Sequence, residues 1–281
     1  MIAAFRGWND GAQGATLAAS FLARSWNAER FADIDPEEFF DFQAVRPHVS
    51  LDEGMARHID WPENVFYDAE VHTRSGGASR DAVVMIGIEP NTRWRTFTDE
   101  ILELARSLDV GLVVTLGALL ADVPHTRAAP VTGAATDPKL VEELGLSQSR
   151  YEGPTGIVGV LHSACRDVSL PSASLWAAVP HYASLAPSPR AALSLCRRLS
   201  ELIDAELDLS ELERAGDVYE KQVSDAVAAD DETAAYVREL ERRADELAAE
   251  ADLPSGDTLA AELTRFLEEH EARRREEEEE P

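Results

Sequence analysis

The sequence predicts an α/β protein: a mostly parallel sheet with helices on its faces, followed by an acidic helical extension. Three observations carry this reading. Short apolar, β-branched runs alternate with amphipathic stretches through roughly the first 205 residues, the pattern of strands crossed over by helices. Those apolar runs end in polar segments rich in Gly, Pro, Asn and His. The charge divides sharply, with 28 acids against 9 bases from Glu201 onward and a net of −19 there, leaving −8 for the rest.

In chain order, Met1–Phe5 reads as a strand, and Gly11 to Trp26 as a helix with Ala15, Ala18, Ala19, Leu22 and Trp26 on one face. Residues 41–80 are less regular, punctuated by Pro47, Gly54, Pro62 and Gly76-Gly77, and read as an excursion or β-arm. Asp81–Ile88 is a strand, and Trp94, Phe97, Ile101, Leu104 and Leu108 mark one buried helical face opposite Arg95, Asp99, Glu103 and Arg106. Val110–Leu116 (strand), Thr155–Arg166 (helix), Ser174–Val179 (strand) and Ser188–Ile203 (helix) complete a core over 1–205. From 206 to 270 the signal is helical only. Leu212, Gly216, Tyr219, Val223 and Ala226 form one stripe; Val237, Leu240, Ala244, Leu247 and Ala251 form a second; Leu259, Leu263 and Phe266 mark a third helix. Residues 271–281, Arg-rich then Glu-rich, read as a charged, disordered tail.

The 281 residues carry a net charge of −27 with 44% hydrophobic content, enough apolar side chain for a sizeable core. So negative a chain lacks the positive field that nucleic acid or an anionic membrane surface requires, so neither is expected as a partner. Two cysteines, Cys165 and Cys196, are too few for a disulfide framework or a thiolate zinc site, which points to a reducing, cytoplasmic setting. No apolar run is long enough to span a bilayer, and residues 1–10 lack a signal-peptide pattern, although the abrupt opening on a strand suggests a true start slightly upstream.

In parallel sheets, ligands bind beyond the carboxyl ends of the strands, so the polar segments found there are the candidate site. They supply Trp8, Asn9 and Asp10; Glu89, Asn91 and Arg93; Asp122, His125 and Arg127; Glu152 and Thr155; and His181. Asn9 or Asp10 as a helix cap is the plainer alternative to a pocket carboxylate. Gly7 to Gly11 lies where a phosphate-binding turn would, yet G-x-G-x-x-G and the P-loop pattern are both missing, so no nucleotide and no other cofactor is expected. Residues 151–156 open a helix and would aim free N–H groups outward. His125 and His181 both follow Val-Pro and could approach one sheet edge with Asp122 and Glu89; without H-E-x-x-H or H-x-H spacing they read as hydrogen-bonded structural histidines rather than metal ligands. Neither G-x-S-x-G nor a Cys at a helix N-terminus is present to supply an acyl-transfer nucleophile. Asp10, Glu89, Asp122 and Glu152 are the carboxylates a paired acid/base site would use, while Arg93 and Arg127 are either anion clamps or salt-bridge partners.

Five strings stand in order: Gly7-Trp8-Asn9-Asp10; Glu89-Pro90-Asn91 with Arg93-Trp94; Leu116-Gly117-Ala118-Leu119-Leu120-Ala121-Asp122-Val123-Pro124-His125-Thr126-Arg127; Tyr151-Glu152-Gly153-Pro154-Thr155-Gly156; and Ser174-Leu175-Trp176-Ala177-Ala178-Val179-Pro180-His181-Tyr182. Together they resemble the actinobacterial branch of the proteasome assembly chaperone 2 (PAC2) family, from residue 1 to about Phe266. The resemblance implies a three-layer α/β/α fold akin to phosphorylase- and hydrolase-like folds, added C-terminal helices, and homo-oligomers, with a trimer suspected. It also implies a non-catalytic role, since eukaryotic members escort proteasome α-subunits into rings. The docking tail of many proteasome-binding relatives, a hydrophobic residue then Tyr and one more, is absent here, where the sequence ends Glu-Glu-Glu-Pro. Contact with a proteasome subunit would then come from the fold surface or the acidic helices.

Two functions follow. The first is an oligomeric protein-interaction or assembly factor, with an apolar patch on the acidic helices that includes Leu240 and Leu247. The second is a small-molecule enzyme or binder using the strand-end crevice, with Asp10 and Glu89 as acid/base groups, Arg93 and Arg127 as anion clamps, and His125 and His181 as shuttles. The first is preferred, and the reading leans away from an enzyme because the case for the second rests on analogy of fold.

Overall fold

The computed structural model describes residues 1–52, 56–135, 137–143, 145–148, 152–183 and 185–251. The expected third C-terminal helix (Leu259, Leu263, Phe266), the charged tail 271–281 and Tyr151 lie outside the described residues.

The elements run β1 (Ile2–Arg6), α1 (Gly14–Ser25), β2 (Glu29–Ile34), α2 (Pro36–Phe39), β3 (His48–Asp52), β4 (Ala56–Asp60), β5 (Asn64–His72), β6 (Ser79–Ile88), α3 (Trp94–Ser107) and β7 (Val113–Ala121). They continue as β8 (Val131–Ala135), α4 (Pro138–Glu143), β9 (Ser147–Gln148), α5 (Ile157–Asp167), β10 (Ser172–Pro180), α6 (Pro189–Leu202), α7 (Ser210–Val227) and α8 (Asp231–Ala251). The main sheet has eight strands in the order β2-β5-β6-β1-β7-β10-β8-β9. Its centre, β6-β1-β7-β10, is parallel, while β5 is antiparallel to both β2 and β6 and β8 is antiparallel to β10. The fold is therefore the three-layer α/β/α architecture expected of the sequence.

Each sheet face buries its own layer. On one side Ala4, Val84, Leu116 and Leu175 pack with Ala15, Ala18, Ala19 and Leu22 of α1, with Ala192, Leu195 and Leu199 of α6, and with Leu212 of α7. The alanine face of α1 brings that helix close: a Cβ on Gly14 would sit 2.8 Å from Cβ of Ala191. On the other side Ala3, Phe5, Met85 and Val113 pack with Phe97 and Ile101 of α3 and with Ile157, Leu161 and Cys165 of α5. Phe97 takes Phe5 and Phe39 edge-on, at centroid distances of 6.0 and 5.2 Å.

Three strands escaped the sequence reading. They are β2 at one margin of the main sheet and β8 and β9 at the other, while the stretch 41–80, expected as an excursion or β-arm, holds β5 and a separate two-stranded ribbon, β3–β4. The predicted strand Val110–Leu116 begins at Val113 and runs on to Ala121, because Gly117 to Ala121 stay paired with Trp176 to Pro180 of β10. Among the described residues, no helix is long and apolar enough to cross a membrane.

Candidate functional site

The carboxyl ends of β1, β6, β7 and β10 share one edge of the sheet, where the twelve candidate residues separate into two groups. The first surrounds the turn after β1. The Asn9 carbonyl accepts the Ala118 N–H at 2.9 Å, and Asp10 continues as a bridge to Ala118, so the turn prolongs the sheet. The buried Asp10 carboxylate accepts from the N–H groups of Ala15 (2.9 Å) and Thr16 (3.1 Å) and from the Thr16 hydroxyl (2.5 Å). It thus caps the start of α1 across a short 3-10 turn. Burial raises its pKa, and the Thr16 and Ala15 hydrogen bonds offset part of that rise.

Glu89 fills the anion position at the start of α5. Its Oε1 accepts the Ile157 N–H at 2.7 Å, and the Asn9 amide donates to the same oxygen at 3.5 Å. The outward-aimed N–H groups expected at residues 151–156 are corrected here: a carboxylate from β6 meets the helix N-terminus internally. The fit depends on glycine, since a Cβ on Gly156 would lie 2.3 Å from Asn9 Nδ2 and 2.6 Å from Glu89 Oε1. Asn91 and Arg93 hold the segment around α2. Asn91 Oδ1 accepts the Asp41 N–H at 2.9 Å, and the Asn91 N–H donates to the Phe39 carbonyl at 3.0 Å. Arg93 is paired with Glu38 and lies over the Phe39 ring at 5.7 Å. Glu152, Thr155 and Trp8 are exposed.

The second group joins the β7 and β10 ends to the C-terminal helices. The buried His125 sits between Tyr182 and Ser224, with Nδ1 2.9 Å from the Tyr182 hydroxyl and Nε2 2.9 Å from Ser224 Oγ. That hydroxyl also accepts the His125 main-chain N–H at 2.9 Å. In the tautomer that also uses the tyrosine proton, the Tyr182 hydroxyl donates to Nδ1 and Nε2 carries the proton toward Ser224; in the other, Nδ1–H donates to Tyr182 and the Ser224 hydroxyl donates to Nε2. Burial lowers the His125 pKa, which favours the neutral ring, while Glu220 and Glu241 oppose that shift. Next to it the Thr126 hydroxyl donates to Glu241 (2.5 Å), and Arg127 pairs in fork fashion with Asp245 through Nε (2.8 Å) and Nη2 (2.9 Å). His181 lies 3.1 Å from Asp122, and its ring packs edge-on against Tyr182 and Tyr236.

His125, His181 and Asp122 therefore do come to one place, as expected, but Glu89 works elsewhere, bound to Ile157. Sequence reasoning missed Ser224, Tyr236, Glu241 and Asp245, the groups that receive the β7 and β10 loops. The spacing of Glu241 and Asp245, four apart on one helix face, was the available signal. It also missed His162, whose ring nitrogens contact the hydroxyls of Thr115 (2.8 Å) and Ser172 (2.9 Å) and whose burial lowers its pKa to about 4. No group of three or more His, Cys, Asp or Glu among the described residues is arranged to hold a metal ion.

The space beside His125, lined by Pro124, Arg127, Ser188, Arg190 and Tyr219, is about 10 Å3, room for a single water at most. A groove of about 1260 Å3 lies at the opposite, amino edge of the sheet, between the start of β6, the Leu108–Leu112 loop and Leu202–Ala205.

Fold and edge together define a three-layer α/β/α protein whose strand-end polar residues bind its own loops and helices. The chain belongs to the PAC2 family, which matches residues 4–227. It is similar to a PAC2 family protein from Streptomyces avermitilis, at 47% identity over 84% of this chain and 98% of that one, with a TM-score of 0.77. It is also similar to a proteasome-assembly chaperone homologue from Mycobacterium tuberculosis, at 43% identity over 84% and 98% of the two chains and a TM-score of 0.74. An archaeal homologue of proteasome-assembly chaperone from Pyrococcus furiosus shares the fold, at 20% identity over 79% and 89% of the two chains and a TM-score of 0.57. A search of curated proteins returned no match.

Proposed function

We propose that this chain is a non-catalytic, homo-oligomeric assembly factor of the cytoplasm that binds a protein partner of the proteasome-subunit kind. One observation carries the reading. At the carboxyl edge the buried Asn9, Asp10 and His125 and the half-buried Glu89 are engaged by main chain and neighbouring helices, whereas large apolar side chains are left in solvent. Trp8 is 68% exposed and Leu120 60% exposed, with Leu119 beside it, on segments held together by the Asn9–Ala118 hydrogen bond. Apolar anchors on a stiff polar frame suit the centre of a protein interface, where Trp is a favoured hot-spot residue. The likeness to the Mycobacterium tuberculosis chaperone homologue supports the choice of partner class.

The acidic helices play a different part from the one expected of them. Leu240 is buried, so it cannot anchor a partner, and of the expected pair only Leu247 is exposed. The internal ties let the edge act as a rigid template: an incoming subunit meets a pre-ordered surface and loses less conformational freedom on docking. The reading is tested by mixing the chain with proteasome α-subunits from the same host and measuring complex formation for wild type and for Trp8→Ala with Leu120→Ala. Loss of binding by more than about 30-fold with an unchanged circular dichroism spectrum is expected for two hot-spot truncations. Undiminished binding by the double variant would remove this edge from the interface.

A further inference from the structure

Among the described residues one buried hydroxyl makes no hydrogen bond to the protein, that of Tyr219. The residue is 4% exposed and lies on the inward face of α7 with Leu212, Gly216 and Val223. Its ring packs with Tyr182, Ala183 and Val223, which leaves the hydroxyl to find a partner beyond them. A buried hydroxyl without one carries its whole desolvation penalty, and native interiors rarely contain such a group. The amide of Asn64, whose Nδ2 is also unpartnered, at least accepts the Ile88 N–H through Oδ1 at 2.9 Å, whereas Tyr219 has no second polar atom.

The hydroxyl belongs to the wall of the 10 Å3 space where four segments meet: the loop after β7, the end of β10, the start of α6 and α7. Much of that wall cannot serve it. Pro124 and Pro180 have no N–H, and the Pro180 carbonyl accepts the Ala183 N–H at 3.3 Å. Both His125 ring nitrogens are engaged by Tyr182 and Ser224, and the Arg127 guanidinium is forked on Asp245. Ser188 and Arg190 remain. Burial raises the Tyr219 pKa, and the Ser188 hydroxyl and then the Arg190 charge lower it, so both act at this oxygen. Ser188 Oγ accepts the Ala191 N–H at 3.4 Å as the cap of α6 and keeps a second lone pair, while Arg190 uses Nη1 on Glu220 and keeps other N–H groups.

We propose that this space is a binding site for one buried water molecule, which accepts from the Tyr219 hydroxyl and from Arg190 and donates to Ser188 Oγ. Three partners are the usual complement of a buried water, and the volume is about the least that admits one. Charge selects water over a small anion. Arg190 is already paired with Glu220, and both Glu220 and Glu241 act on the adjacent His125, so an anion would sit among carboxylates in a chain of net charge −27. The water ties the middle of α7 to the first turn of α6 beneath the β7 and β10 ends. The site is complete within one chain and stands whether or not a partner docks at the carboxyl edge.

The test is a crystal structure of the full chain at a resolution that shows ordered solvent, from crystals grown with bromide in place of chloride, and the same for Tyr219→Phe. The wild type is expected to show a single oxygen-sized peak within about 3.2 Å of Tyr219 Oη and of Ser188 Oγ or Arg190, without anomalous bromide signal. The peak should be lost in Tyr219→Phe, which keeps the ring and its packing. In solution, magnetic relaxation dispersion should count one long-lived internal water fewer in that variant than in wild type. An anomalous bromide peak would make this an anion site and overturn the water. A direct Tyr219–Ser188 hydrogen bond with no density in the space overturns it as well, and a water that keeps its place in Tyr219→Phe overturns the part given to Tyr219. If the variant does not fold, the wild-type density and its anomalous signal decide alone.

Discussion

Replacing Glu89 discriminates between an internal tie and a free functional carboxylate. In the structure Oε1 takes the Ile157 N–H at 2.7 Å at the first turn of α5, with the Asn9 amide behind it. Glu89→Ala removes a charge-assisted hydrogen bond, which contributes about 1.5–3 kcal/mol, and orphans a main-chain donor at a helix N-terminus. Part of that value is the interaction with the helix dipole, about 0.3–1 kcal/mol. We expect Glu89→Ala to lose about 2 kcal/mol in urea unfolding followed by circular dichroism, equivalent to roughly 4–8 °C in Tm for a chain of this size. Glu89→Gln keeps an acceptor without the charge and should lose about 1 kcal/mol. The vacated N-terminus should also make the alanine variant more responsive than wild type to added formate, an anion that can stand where the carboxylate stood. If Glu89→Ala is within about 0.5 kcal/mol of wild type, the helix does not depend on this carboxylate and the tie is refuted.

Gly156→Ala places a methyl group against Asn9 and Glu89 and should cost about 1–2 kcal/mol in wild type and only part of that in the Glu89→Ala background, where the approach to Asn9 remains, a coupling that a double-mutant cycle measures. His162 has a folded pKa near 4 against about 6.5 when unfolded, so the stability it confers as a neutral ring is complete above pH 6.5 and lost as pH falls through 4. Unfolding free energies of wild type and His162→Gln should converge over that window by up to about 3 kcal/mol, and parallel profiles would contradict the assignment. Asp10→Asn keeps an acceptor for Ala15 and Thr16 while removing a buried charge, so it should be within about 1 kcal/mol of wild type, whereas Asp10→Ala should lose about 2 kcal/mol. Arg127→Ala should raise amide hydrogen exchange in residues 231–251 selectively, because the guanidinium fork on Asp245 ties α8 to the loop after β7; unchanged exchange there would show that the buried Val237 and Leu240 and the Thr126–Glu241 hydrogen bond hold the helix without it.

The layers of the fold were legible because their signal is local. β1, β6 and β10 are apolar runs, and the buried faces of α1, α3 and α6 repeat at helical spacing, so each could be read without knowing its neighbours. β2 was hidden by its position: as an edge strand it exposes Glu29, Arg30 and Asp33 and shows little apolar alternation. β8, with Gly133 beneath Leu146 and Leu175, lacks the bulky side chains that mark a strand. Strand ends identify which residues collect at the carboxyl edge, but not which partner each takes. Glu89 reaches Ile157 and Arg127 reaches Asp245, separations of 68 and 118 residues that no local pattern encodes. The expected common crevice therefore resolves into two sets of ties, one closing α5 onto β6 and one closing α7 and α8 onto β7 and β10.

The central claim, that this edge is a docking surface rather than a reaction site, is tested most directly by native mass spectrometry of the chain recovered gently from its own host. The expected result is a stoichiometric protein partner, a proteasome α-subunit, bound to the chain with no small-molecule adduct. A chain that carries a stoichiometric small molecule and no protein, with the adduct lost on Asp10→Asn or Glu89→Gln, would contradict it.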